Sequence, residues 1–339
     1  DQTAQIDGPG TFDGLEQPKN PHEQPRPLKL AWQRNAWLDG KTNRVEVVGG
    51  VSTASDEPGG SHDSSSCDRI VATLVDVAPA TQPATRPAEG DSFADGADFM
   101  KNKQVKLLSL QTDEAAGSAT TPSRAKAQSA LLDAGGKLLR QFDLLAGRID
   151  YDVSTKRLSV AGPGDLLAIE QSPPTTRPAT DNAPAMGGHG STAIDWKKRF
   201  IYDDAARTAI IQGDITIVHQ DNASKTGSLR LDHADIVQAE FDAAPPGQDT
   251  GDTGEPAAPK LKHVTATGGM TIRTADKTIY CGELDFDPVE QILTCLGGQL
   301  GKVTVVDDNN LSGGTCAEAV FNLKTNELKK MTQVTAHGR

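Results

Sequence analysis

The chain has few of the large apolar side chains that a compact globule of its size would bury. Of its 339 residues, 36% are hydrophobic and 4% aromatic, against 33 glycines and 20 prolines. An elongated β-architecture with polar insertions needs a smaller core for each residue than a compact globule does. The composition therefore favours an extended, β-rich protein.

Other features are scarce, and each scarcity disfavours a class of protein. No apolar run approaches the roughly 18–20 residues of a membrane-spanning helix. The opening residues contain no signal-peptide h-region, so we expect a processed form or an excised piece. Four cysteines are too few for a disulfide scaffold in so long a chain. The excess of 46 acidic over 34 basic residues disfavours nucleic acid as a partner.

Motifs for catalysis or metal binding are also missing. The seven histidines form no H-x-x-x-H pair. The glycine pairs at 49–50, 268–269 and 297–298 lack the helix and the Lys-Ser/Thr of a phosphate loop, so we interpret them as kinks in strands. We therefore expect a protein that is not an enzyme and that uses neither a cofactor nor a metal.

Segments rich in Pro, Thr, Ala and Gly divide the chain. They are too polar to offset the entropy lost on ordering, so we predict that they are disordered. We expect an N-terminal segment at 1–27, β-repeats at 28–171, a linker at 172–194, and β-repeats at 195–339 whose last strand is cut short. The predicted insertions within the repeats are 53–66, 78–104, 112–128 and 243–259.

A repeated pattern marks the parts expected to be ordered. Each copy has a large apolar residue, an Asp or Asn, four turn residues and then a strand, which in most copies alternates and ends in Gly. The pattern predicts a hairpin in which the Asp or Asn side chain caps its own turn. The copies are LDGKTNRVEVVGG (38–50), YDVSTKRLSVAGPG (151–164), YDDAARTAIIQGD (202–214), FDPVEQILTCLGG (286–298) and FNLKTNELKKM (321–331).

Alternation along the strands predicts which side chains point inward. In AIIQGDITIV (209–218), Asp214 and Thr216 should face solvent, and Ala209, Ile211, Ile215 and Ile217 should face the interior. Stacked in register, such residues would line an apolar trough. The sequence is compatible with a trough that is open to a ligand and with one that is closed as a packed core, because burial stabilises both. The predicted lining residues are Val45, Val47, Val51, Leu158, Val160, Ile211, Ile215, Ile217, Met270, Ile272 and Leu293.

The stretch CGELDFDPVEQILTCLGG (281–298) combines two cysteines with several carboxylates, which alternation would place on the same face as Cys281. A metal site is the less favoured interpretation, because the repeat explains Asp287 as a turn cap and Cys281 as a small buried residue. A hairpin over this stretch would place Cys281 and Cys295 almost opposite each other. A disulfide between them is therefore one alternative, beside two buried thiols.

Two of the repeated blocks resemble the OstA/LptA-like family of lipopolysaccharide transport. The segment from Val264 to Gly298 follows the family pattern A-x-G-[NDG]-[VIM]-x-[VI], a small residue before an apolar-x-[YF]-[DN] turn, and L-x-[LVT]-x-G. A second pass lies at 201–242. The matching positions of the first pass are Ala266, Gly268, Met270, Cys281, Leu284, Phe286, Asp287, Leu293 and Gly297.

The resemblance implies an all-β fold, an elongated open β-jellyroll of stacked antiparallel strand repeats whose apolar groove holds the acyl chains of a glycolipid. It implies a periplasmic, exported bridge protein that binds lipopolysaccharide or a similar glycolipid and pairs end to end with other β-jellyroll proteins or with itself. The long insertions follow comparable places in the repeat, so we expect them along one edge of the stack. The alternative is a structural or adhesive β-repeat protein of the cell envelope that binds no lipid.

Overall fold

The computed structural model describes residues 3–16, 26–56, 60–76, 103–112, 124–133, 135–171, 190–221, 228–242, 261–309 and 312–337. These residues form one antiparallel sheet of twenty-two strands and a 3-10 turn at Gly298–Leu300, which confirms the predicted all-β class. The strands are β1 (Thr3–Asp7), β2 (Gly10–Glu16), β3 (Arg26–Trp32), β4 (Asn35–Asp39), β5 (Arg44–Asp56), β6 (Ser61–Asp76), β7 (Lys103–Gln111), β8 (Ala125–Leu132), β9 (Leu138–Asp152), β10 (Arg157–Glu170), β11 (Gly190–Trp196), β12 (Arg199–Asp203), β13 (Thr208–Asp221), β14 (Ser228–Phe241), β15 (Leu261–Arg273), β16 (Lys277–Asp287), β17 (Ile292–Leu296), β18 (Val303–Asp307), β19 (Gly313–Cys316), β20 (Glu318–Asn322), β21 (Glu327–Thr332) and β22 (Thr335–His337).

The sheet is a stack of bent rungs that follow one another in chain order. A rung is either one long strand with a bend, such as β13, or two short strands in succession, such as β11 and β12. Each rung pairs only with the rung before it and the rung after it. The described residues contribute fifteen rungs: β1/β2, β3/β4, β5, β6, β7/β8, β9, β10, β11/β12, β13, β14, β15, β16, β17/β18, β19/β20 and β21/β22.

The bend divides every rung into two arms, whose facing sides bury a single apolar core. We call the arm with the Asp- or Asn-capped turns the turn arm; its short strands are β1, β4, β7, β12, β17, β20 and β21. We call the other the opposite arm; its short strands are β2, β3, β8, β11, β18, β19 and β22. Each long strand gives one half to each arm.

Two tryptophans hold equivalent bends. The Nε1 of Trp196 donates a hydrogen bond to the Gly162 carbonyl at 3.1 Å, and the Nε1 of Trp32 donates one to the Gly8 carbonyl at 3.1 Å. The indole of Trp196 lies directly on the backbone of the neighbouring rung, because a Cβ on Gly164 would lie 2.4 Å from its Cζ2. Both tryptophans are packing residues of the repeat, since Trp196 is fully buried and Trp32 is 7% exposed.

The five predicted turn caps are all present. In the second copy, Asp152 Oδ1 accepts hydrogen bonds from the amides of Ser154 and Thr155 at 2.9 and 3.0 Å. The other caps accept equivalent amide bonds. The fourth residue after each cap is left-handed, with φ between 52° and 56°. The caps are Asp39, Asp152, Asp203, Asp287 and Asn322, and the left-handed residues are Asn43, Lys156, Arg207, Gln291 and Asn326.

Several predicted boundaries were wrong because polar sequence also forms strands here. The N-terminal segment 1–27 contributes β1 and β2, and most of the insertion predicted at 53–66 belongs to β5 and β6. The end of the predicted insertion 112–128 is the start of β8, and β11 begins at Gly190, inside the predicted linker. Backbone hydrogen bonds to neighbouring rungs stabilise these strands without a large apolar content. The insertion 243–259 and most of 78–104 lie outside the described residues.

The prediction that the long insertions all lie along one edge of the stack was wrong. The segments that follow β6 and β14 leave from the turn arm, whereas the one that follows β10 leaves from the opposite arm. The reason is that successive rungs run in opposite directions, so comparable sequence can end on either arm. Because β11 pairs with both β10 and β13, the sheet continues through this point.

Candidate functional site

The space between the arms is the candidate site, and the predicted lining residues all point into it. Nine of the eleven are buried, and Val45 and Leu158 are half-buried against the core. Ile215 and Ile272 are fully buried, whereas Asp214 on the other face is exposed. The predicted alternation is therefore confirmed, and through most of its length the interior is filled by its own side chains.

A row of small or apolar residues lines the opposite arm beside the bend. Cys67, Cys281 and Cys316 occupy this position in three rungs, and Ala146 and Ala234 occupy it in two others. All five are buried, between 0 and 7% exposed. The prediction that Cys281 acts as a small buried residue is confirmed, and Cys67 and Cys316 occupy the same position in their rungs.

The turn arm carries a second row, which we call the tip row. It consists of the residue just before each cap and of the residues paired with it on the neighbouring strands. Tyr151 is 37% exposed, and its neighbours Leu158 and Tyr202 are half-buried. Farther along, the same row is sealed at Leu293, which is 1% exposed, and it reaches the surface again at Leu328 on β21, which is 37% exposed. The cleft between the arms therefore reaches the surface near β9, β10 and β12, and we call this part the mouth. The sealed members are Val264, Phe286, Leu293 and Phe321.

The rim of the mouth is both aromatic and charged. The Tyr202 hydroxyl donates a hydrogen bond to Asp204 Oδ1 at 3.3 Å, and the Lys156 ammonium lies 3.3 Å from the same carboxylate. Partial burial raises the pKa of both Tyr151 and Tyr202, so the phenols remain neutral donors at physiological pH. Sequence reasoning missed this rim, although the tyrosines directly precede capping aspartates.

The apolar lining is interrupted in the N-terminal part of the opposite arm. The inward residues there include Thr53, Ser55, Asp63 and Ser65, and the hydroxyls of Thr53 and Ser65 lie 2.7 Å apart. The position of Thr53 is occupied by Ile217 in the corresponding strand β13. The trough is therefore apolar mainly in the C-terminal two thirds of the stack.

His219 is a buried polar residue in the otherwise apolar interior. Its Nδ1 lies 2.9 Å from the Thr192 hydroxyl, while its Nε2 has no hydrogen-bond partner among the described residues. Burial lowers the pKa of His219, although the nearby Asp221 opposes this effect. The ring is therefore neutral at physiological pH.

Acidification is expected to destabilise the fold through His219. Because the folded pKa is lowered below the usual value near 6.5, the unfolded chain binds more protons once the pH falls through that value. The stabilising contribution is complete above the unfolded pKa and decreases below it. Denaturation of the wild type and His219→Leu between pH 7.5 and about 5 measures this. The variant should lose part of the pH dependence, and an unchanged slope would contradict the assignment. His62→Gln, at an exposed histidine, is the control.

Of the two alternatives for Cys281 and Cys295, the structure has two buried thiols and no disulfide between them, and the register differs from that of the simple hairpin. Cys295 pairs with Leu284, and both thiols are free. The thiol of Cys281 is nevertheless in hydrogen-bond contact with Cys295, and this contact, with burial, raises the pKa of Cys295. The two thiols therefore face each other across the bend, and both are buried.

The prediction that the carboxylates of the same stretch share a face with Cys281 was wrong. The bend at Gly282 resets the alternation, so Cys281 points inward while Glu283 and Asp285 point outward. On the outer surface, Asp285 Oδ2 and His263 Nε2 form a hydrogen bond of 2.9 Å. Within the described ranges, no group of three or more His, Cys, Asp or Glu side chains is placed to hold a metal ion.

One polar contact crosses the cleft and ties the two arms together at their tips. Asn326, in the last capped turn, donates a hydrogen bond from Nδ2 to Asp276 Oδ1 at 2.7 Å. Lys277 donates from Nζ to the other oxygen of Asp276 at 2.6 Å and to the Asn326 carbonyl at 3.2 Å. The hydrogen bond from Lys277 lowers the pKa of Asp276, which stays ionised at neutral pH. This contact lies beside the sealed part of the tip row.

The chain matches no protein-family model, and no curated protein is significantly similar to it. Nor does the described part of the chain include a helix with the length and apolar character needed to cross a membrane. The interior, the mouth and the two ends of the stack are therefore the features on which a function can be argued.

Proposed function

We propose that this protein is a periplasmic, non-enzymatic carrier that holds the acyl chains of lipopolysaccharide or a similar glycolipid between its two arms. The observation that carries the proposal is the mouth, where an apolar interior reaches the surface at Tyr151, Leu158 and Tyr202. An acyl chain that enters there replaces water on apolar surface, at about 25 cal/mol for each Å². The ammonium of Lys156 at the rim is paired with Asp204 and would exchange this partner for an anionic head group.

The ends of the stack are where partners of the same architecture would pair. On the first described rung the inward residues Ile6 and Phe12 are about half exposed, at 54% and 53%, because no other described strand pairs with the outer edge of β1 or β2. Val334 is 53% exposed on the last rung. Such uncovered sheet edges favour strand addition by another β-jellyroll protein or a second copy.

A photo-crosslinking residue at Leu158 tests the lipid proposal. Placed there, it lies in the mouth and is expected to form adducts with lipopolysaccharide in envelope extracts. The matched control is the same residue at Ser159, which is adjacent on β10 but points to the outer face. Adducts at Leu158 that exceed those at Ser159 at least several-fold support the proposal. Equal or absent adducts at both positions contradict it.

A specific observation favours a second candidate, a structural or adhesive β-repeat protein of the cell envelope. Most inward residues are already buried by each other, with Val160, Ile215 and Ile272 at 0% exposure. Such an interior can stabilise a rigid stack without any ligand. A wild type that yields no lipid adduct at the mouth favours this second function.

A further inference from the structure

We propose that Asp276, Lys277 and Asn326 form a latch that closes the cleft over the C-terminal third of the stack. Its opening admits a long acyl chain to that part of the interior. The acyl role rests on the proposed function, whereas the closing role rests only on the contacts described above. The name "latch" refers to these three residues throughout.

The latch joins parts of the fold that strand pairing does not connect. Asp276 and Lys277 belong to the hairpin between β15 and β16 on the opposite arm. Asn326 belongs to the turn between β20 and β21 on the turn arm. A contact between these two tips spans the cleft, so it must break before the arms can separate at this level.

The equivalent residues of two other turns contact their own arm instead. Asn43 accepts a hydrogen bond from Lys103 at 2.7 Å, and Lys156 forms an ion pair with Asp204. Both partners lie on the turn arm. The bond of Asn326 to Asp276 is therefore not a by-product of the repeated turn.

The best-sealed members of the tip row lie near the latch, although the terminal member Leu328, on β21, is 37% exposed. Beside the latch, Leu293 and Phe321 are 1% and 3% exposed, whereas Tyr151, several rungs away, is 37% exposed. Between β15 and β20 the row is thus sealed at the level where the arms are tied, and at Tyr151 it is accessible. An acyl chain that enters at the mouth meets a closed interior as it approaches β15.

The bonds of the latch are of a strength that permits opening. The side chains of Asp276 and Lys277 retain 27% and 15% exposure, so water can replace part of what is lost. One charge-assisted hydrogen bond changes an equilibrium constant by about ten- to a hundred-fold. Loss of the Asn326 amide should therefore raise the open fraction by at least about ten-fold.

The buried native thiols report opening without any lipid. In Asn326→Gly, glycine keeps the left-handed backbone and removes the amide. The labelling rates of Cys281 and Cys295 by methyl methanethiosulfonate, measured peptide by peptide, should rise about ten-fold, while that of the distant Cys67 stays the same. Arg207→Gly, at the same place in another turn, is the matched control. An unchanged rate at Cys281 and Cys295, or an equal rise at Cys67, overturns the latch.

A second measurement separates the latch from the proposed function. The association rate of pyrene-labelled palmitate should also rise about ten-fold in Asn326→Gly, since opening limits access. Faster thiol labelling without a faster palmitate rate overturns the acyl role of the latch. Palmitate that binds neither the variant nor the wild type contradicts the lipid function. Palmitate that binds both equally, with unchanged thiol rates, overturns the latch and leaves the function standing.

Discussion

Replacement of Trp196 with alanine is expected to lower the free energy of unfolding by about 3–5 kcal/mol. The indole is fully buried, packs 5.5 Å from the ring of Phe200, and donates a hydrogen bond to the Gly162 carbonyl across the bend. Its loss leaves both a cavity and an unpaired backbone acceptor. Urea denaturation followed by far-ultraviolet circular dichroism measures the effect.

Trp37 provides the control for this substitution. It lies on β4 with its side chain on the outer face of the turn arm, opposite Glu46, and is half-buried. Trp37→Ala should cost no more than about 1 kcal/mol. Equal losses for the two variants would show that Trp196 does not hold the bend.

The second large effect is expected at Ile215, in the middle of the inner row. Ile215→Asn should lower the free energy of unfolding by at least about 3 kcal/mol. Removal of the buried aliphatic side chain costs about 2–5 kcal/mol, and a buried amide without partners adds about 1–3 kcal/mol. The measurement is again urea denaturation, with tryptophan fluorescence as the signal.

The neighbouring position shows whether the two faces of β13 differ as described. Thr216 is half-buried and points to the outer face, where it pairs with Asp195. Thr216→Asn should change the free energy of unfolding by no more than about 0.5 kcal/mol. A loss at Thr216 as large as that at Ile215 would contradict the assignment of the inner face.

The sequence predicted the parts of the fold that depend on neighbouring residues. The five capped turns and the inward row follow from alternation and from the chemistry of Asp and Asn, which act within a few residues. The bend was harder to predict because it resets the alternation. Leu284 lies three positions after Cys281, and strict alternation would place the two on opposite faces. Because of the bend at Gly282, both point inward. The predicted face of the carboxylates and the predicted disulfide geometry failed for this reason.

The features missed by sequence reasoning depend on residues that are far apart in the chain. Asp276 and Asn326 belong to turns on different arms, and nothing in the repeat indicates that these tips meet. The serine-rich strand that begins at Ser61 was interpreted as an insertion, because its stabilisation comes from backbone pairing with β5 and β8. Periodicity of side chains gives no information on such pairing.

The strict order of the rungs makes the described chain a molecular spacer. Fifteen rungs that step by about 4.8 Å hold the first and the last roughly 65 Å apart. Because adjacent rungs run in opposite directions, only the gain or loss of two rungs together keeps the following strands in their original direction. The reach of such a protein can therefore change by genetic duplication or deletion in increments of about 10 Å, and each increment adds its own stretch of interior.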